Sequence, residues 1–163
     1  MHTTAISTFV TLLLFLVHSY LVPYLTLVDV VPDILLIWIV YLAIRRGQLV
    51  STGAGFVIGL VLDLSSGESG MLGLAALTKS VGGFMAGYFF NENRMLQVLS
   101  GYQFIVAVFV TSLLHNVLYF LIFLQGSGMG WWDTFLRYAV PTSLYTALLA
   151  LLPMFIFSRK YVS

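Results

Sequence analysis

Cysteine is absent from this chain, and charge is scarce. With no cysteine among its 163 residues, the chain can form no disulfide, no thiolate metal site and no cysteine nucleophile. Asp, Glu, Lys and Arg together make up 8% of the sequence, where a soluble domain carries about 25%. That is too little charge to cover a globule with polar surface, which excludes a soluble fold. Long polar connections are also missing, so no loop has room for a soluble domain. The net charge of +1 gives nucleic acid nothing to bind.

What is present is apolar. Hydrophobic residues make up 60% of the chain and the mean hydropathy is +1.02. The expected fold is an all-α integral membrane protein, with six transmembrane helices in one bundle and one domain over residues 1–163. The six apolar segments run from Ala5 to Tyr24, Pro32 to Ile44, Leu49 to Leu64, Met71 to Phe90, Val98 to Leu124 and Pro141 to Phe157. The first lacks a basic leader and a small-residue cleavage site, so it is expected to stay as a span.

Basic residues set the expected orientation. Arg45, Arg46, Arg94, Arg159 and Lys160 fall on one side of six spans, and Arg137 on the other with Asp29, Glu68 and Asp133. Both termini are therefore expected in the cytoplasm. Trp131 and Trp132 then lie at the outer interface, and residues 131–140 are expected to lie along it.

The second segment is short. Thirteen residues of helix reach about 20 Å, whereas the hydrocarbon core is about 30 Å thick. Pro32 disfavours helix at Val31, and Asp33 falls in the first turn, where free N–H groups stabilise a carboxylate. Pro32 and Asp33 read equally as an ordinary helix start or as part of a pocket.

Asp63 and Lys79 are ionisable residues inside apolar runs, and each costs about 3 kcal/mol on insertion scales. Heights counted along their helices bring them close enough to pair, directly or through water. In the alternative, Lys79 snorkels and Asp63 caps the Ser65-Ser66-Gly67 loop; His115 is a second candidate partner for Asp63. Gly55 and Gly59 share a helix face with Asp63, and Gly83 and Gly87 share one with Lys79. Two such rows suit close packing of membrane helices. In the fifth segment Thr111, Ser112, His115 and Asn116 form a polar stripe expected to face the bundle. Interhelical hydrogen bonding is the favoured reading of that stripe. A metal site of His18, His115 and Asp63 has no spacing to support it, and no catalytic motif is present.

The order of these motifs resembles the rod shape-determining MreD family. The matching positions are Pro32 and Asp33 at the second span, Gly59, Asp63 and Gly67 at the third, and Gly73, Leu74, Ala76 and Leu77 at the fourth. The resemblance implies a non-catalytic, multi-pass protein of the bacterial inner membrane with no cofactor. It further implies a scaffold of the cell-elongation complex that supports lateral peptidoglycan synthesis and cell shape. MreC is the partner it implies first, with RodA, a class B penicillin-binding protein and the MreB filament as complex members. The family fold also resembles the substrate-binding subunit of vitamin transporters, so a solute-binding membrane subunit is the alternative. Against that alternative, the first span lacks the AxxxA docking row of those subunits, with Ala5 as its one alanine.

Overall fold

The structure is a computed structural model that describes residues 2–26, 30–66, 72–125 and 130–162. Expectations that fall on Asp29, Gly67, Glu68, Met71 and Gly128 lie outside these residues. Among the described residues the secondary structure is helical, with no β-strand.

The short second segment forms the centre of the molecule. It is helix α2 (Ile34–Arg46), which follows α1 (His2–Tyr20) and a 3-10 turn at Val22–Leu25. Eight of the thirteen α2 residues are buried. Leu35, Leu36 and Ile39 meet Ile58 and the α1 residues Leu14 and Phe15. Val40, Ala43 and Ile44 meet Ala86, Val98, Phe104 and Val108. A helix that is apolar all round is a buried helix, so α2 needs no length for lipid contact. Its end follows from Gly47, whose φ of 86° is the left-handed region and whose N–H donates to Ala43 O at 2.9 Å.

Helix α3 (Gln48–Ser66) and helix α4 (Leu74–Ala86) form the tightest pair. Lipid is as apolar as leucine, so apolar burial does not drive this contact; close packing and hydrogen bonds do. The glycines make the approach possible. A Cβ on Gly55 would stand 2.3 Å from Lys79 O, on Gly59 2.3 Å from Ala75 O, and on Gly83 2.4 Å from Ser51 O. On Gly87 it would stand 2.5 Å from Gln48 Cβ. Ser51 Oγ donates to Gly83 O at 2.8 Å and Gln48 Nε2 to Phe84 O at 2.9 Å, which binds the two backbones together.

Two expected segment boundaries move. The fourth segment stops being α-helical at Ala86 and continues as a 3-10 turn, Gly87–Phe89. The fifth divides at Gly101 into α5 (Met95–Ser100) and α6 (Tyr102–Phe123). Gly101 is extended, with φ −113° and ψ 175°, and glycine costs a helix interior about 1 kcal/mol relative to alanine.

The region expected to lie along the interface instead joins the last span. Helix α7 (Trp131–Thr134), a π turn at Phe135–Ala139, α8 (Val140–Leu149) and α9 (Leu151–Val162) follow one another. Pro141 has no N–H to donate, and the wider π turn sits immediately before it. Three helical stretches are long and apolar enough to cross a membrane: Gln48–Ser65, Tyr102–Phe123 and Trp131–Ser158. Ile6–Tyr20 is a shorter apolar helix.

Candidate functional site

Pro32 and Asp33 place a carboxylate at the N-terminus of the buried helix. Asp33 is the N-cap of α2, and its Oδ1 accepts the Leu36 N–H at 2.9 Å. The free N–H groups of a helix start and its dipole both favour a negative group there. Its own backbone N–H donates to Thr146 Oγ1 at 3.0 Å, which ties α2 to α8. Thr146 Oγ1 in turn donates to Thr142 O at 2.8 Å.

Asp33 Oδ2 forms an ion pair with Lys79 Nζ. The pairing expected from the sequence, Asp63 with Lys79, is therefore corrected: Lys79 reaches across to α2 rather than back to α3. The cause is the depth at which α2 begins. Because α2 starts inside the bundle, its N-cap stands at the level of Lys79. Lys79 is 3% exposed and Asp33 8%, so ammonium and carboxylate are both largely withdrawn from water, and each needs the other.

Asp63 does different work. Its Oδ2 accepts the N–H groups of Gly73 at 3.1 Å and Ala76 at 3.0 Å, and its Oδ1 accepts that of Ala75 at 3.1 Å. Gly73 is the N-cap of α4, with φ 96° and no side chain of its own to cap with. A carboxylate from the preceding helix thus satisfies the first N–H groups of α4, one turn before Lys79. Among the described residues these N–H groups, not His115, are the partners of Asp63, and the Ser65-Ser66-Gly67 loop cap considered for it falls at Gly67, outside the described residues.

The α6 residues Thr111, Ser112, His115 and Asn116 are all buried, and they face α4 and α8. Asn116 Nδ2 donates to Ser112 Oγ and to Ser143 Oγ, both at 3.1 Å. Ser143 Oγ donates to Ala139 O at 2.6 Å. His115 Nε2 stands 3.6 Å from Asp33 Oδ2, too far for a hydrogen bond. Among the described residues its Nδ1 is buried without a partner in hydrogen-bond geometry. Thr111 Oγ1 and His18 Nδ1 are likewise buried and without a partner among the described residues.

Sequence reasoning placed the sixth segment but missed its polar face. Thr142, Ser143 and Thr146 lie on one face of α8, spaced by one and three residues in an apolar run. That spacing was the available signal for a polar face turned toward the bundle.

These groups surround a cavity of about 370 Å³, lined among others by His18, Asp33, Lys79, His115, Tyr119 and Phe120. It lies where α2, α4 and α8 begin and where α1 and α3 end. Among the described residues, no group of three or more His, Cys, Asp or Glu side chains is placed to hold a metal ion.

A protein-family model described as rod shape-determining protein MreD matches residues 2–162. No curated protein and no solved structure matches the chain.

Proposed function

The chain belongs to the MreD family of rod shape-determining membrane proteins, and we propose that it acts as a non-catalytic scaffold of the bacterial cell-elongation complex. In this reading it is a single domain in the inner membrane, with six spans and both termini in the cytoplasm. It supports lateral peptidoglycan synthesis by holding other membrane proteins in place. MreC is its direct partner; RodA, a class B penicillin-binding protein and the MreB filament complete the complex.

The observation that carries the reading is the family match over nearly the whole chain. The geometry supports it in one respect. A scaffold must present a face of fixed shape, and Asp33 ties α2 both to α4 and to α8. The outer surface is rich in exposed Leu, Ile, Val and Phe, which suits lipid or another protein's span. Trp131 and Trp132, stacked 4.0 Å apart and both exposed, offer an aromatic edge for docking beside Phe135.

Removal of the protein is expected to convert rods to round cells, and MreC is expected to co-purify with it. Rod shape that survives its loss contradicts the reading. Retention of the protein in the same complex after MreC is removed contradicts the direct partnership. Reporter fusions test the topology: cytoplasmic signal is expected at Gly47 and Asn93 and external signal at Gly67 and Gly128. Cytoplasmic signal at Gly67 overturns the six-span arrangement.

A further inference from the structure

A hollow of about 290 Å³ opens between α1, α2 and α9, separate from the polar cavity. Its wall is almost wholly apolar, with Val10 and Leu14 from α1, Trp38 and Tyr41 from α2, and Leu152 and Phe157 from α9. None of the six is fully buried. The polar atoms of the two α2 rings are already engaged. Trp38 Nε1 donates to Thr11 Oγ1 at 2.9 Å, and Tyr41 Oη accepts from the Arg45 guanidinium. Trp38 stacks on Tyr41 with ring centroids 5.0 Å apart, and Tyr41 stacks on Phe157 at 5.2 Å. Among the described residues the hollow therefore offers an occupant rings and aliphatic surface.

A cation stands at the end of this row of rings. The Arg45 guanidinium lies 5.8 Å from the Tyr41 ring centroid, and Arg45 is exposed. A guanidinium has several N–H donors in a fixed fork. The Tyr41 hydroxyl takes one of them, and among the described residues no carboxylate pairs with Arg45. The span Gln48–Ser65 begins just after Arg45, and the span Trp131–Ser158 ends just after Phe157. This end of the row thus lies at a face of the membrane, at the depth of lipid head groups. The donor fork of an arginine matches the oxygens of a phosphate.

We infer that this hollow is a binding site for an anionic phospholipid of the bilayer: one acyl chain lies along Trp38, Tyr41 and Phe157, and its phosphate meets Arg45. Size favours a chain over a helix. At roughly 30 Å³ for each methylene, the share of a liquid water, the hollow takes about ten of them. A helix with its side chains is about 10–12 Å across and does not enter such a space. Bulk lipid is as apolar as the wall, so burial alone selects no lipid. Shape seats the chain, and the charge of Arg45 selects the head group. The site goes beyond the scaffold reading, which stands whether or not a lipid is bound.

The fluorescence of Trp38 tests the inference. The chain has three tryptophans, so Trp131→Phe with Trp132→Phe leaves Trp38 as the single emitter. This full-length variant, in neutral detergent, is titrated with phosphatidylglycerol whose acyl chains carry bromine, which quenches an indole it touches. Saturable quenching is expected, with brominated phosphatidylcholine needing about fivefold more lipid, the factor one arginine gives near a membrane surface. Arg45 is exposed, so Arg45→Gln is expected to fold and to erase the difference between the two lipids. Val10→Phe with Leu152→Phe narrows the hollow from two walls and is expected to weaken quenching by both. If that variant does not fold, the head-group comparison and Arg45→Gln decide alone. Equal quenching by the two lipids, or a preference that survives Arg45→Gln, overturns the inference. Quenching that does not saturate, or that narrowing the hollow leaves unchanged, overturns it too, and leaves the hollow to bulk lipid or a partner's span.

Discussion

Helix α4 is held in two ways along its length. Toward its end, Gly83 lies against the backbone of α3, with Ser51 O 2.4 Å from where a Cβ would stand. Near its middle, Lys79 leaves α3 and crosses to Asp33 on α2, beside a cavity. The first contact is dry, made of backbone, and has no room. The second is made of side chains and opens onto space. Lipid gives neither contact a hydrophobic driving force, so shape holds one and charge the other. A shape contact has no compensating second change, whereas a charge contact fails when halved and recovers when both halves go.

Single changes at the charge contact are expected to have the largest effect. Lys79→Met strands the Asp33 carboxylate, and Asp33→Asn strands the ammonium while an amide keeps the α2 cap. Each is expected to lower stability by about 3–5 kcal/mol, with the double variant closer to wild type. Thermal unfolding in detergent reads this directly.

Next come the glycines. Gly55→Leu and Gly59→Leu force a side chain into backbone at 2.3 Å, and an overpacked core loses about 3 kcal/mol or more. No partner substitution on α4 is expected to rescue them, because backbone cannot be made smaller. Normal assembly of both variants, followed by size-exclusion chromatography, would show that the shape contact gives way.

Asp63→Ala is expected to cost about 2 kcal/mol, the upper range for a lost helix cap. It should unwind the first turn of α4 without freeing Lys79, which hydrogen exchange at Ala75 and Ala76 would register. Ser143→Ala removes one acceptor from Asn116 and should cost about 0.6 kcal/mol, in line with single polar contacts between membrane helices.

The two contacts were not equally legible in the sequence. Spacing by four places Gly55 with Gly59 and Gly83 with Gly87 on shared faces, and consecutive helices joined by a short turn are neighbours. In the structure those faces meet. The partner of Lys79 depends on something spacing does not carry: which helix lies beside α4 at a given depth. Heights along α3 and α4 favour Asp63. Only the burial of α2 over most of its surface, and the inward start that goes with it, brings Asp33 to Lys79. The short length and the Pro32-Asp33 start were visible; the depth was not. The break at Gly101 and the π turn before Pro141 escaped for a related reason, since apolar runs conceal where a helix changes register. The polar face of Thr142, Ser143 and Thr146 was readable from its spacing and was passed over because the surrounding run is apolar.

The most direct test of the pairing is a double-mutant cycle on detergent stability. It combines Lys79→Met with Asp33→Asn, and in parallel Lys79→Met with Asp63→Asn. The account predicts that the Asp33 cycle is coupled by more than about 1 kcal/mol, and that the Asp63 cycle is additive within about 0.5 kcal/mol. Additivity for Asp33 together with coupling for Asp63 would contradict it, and would return Lys79 to the helix hairpin of α3 and α4.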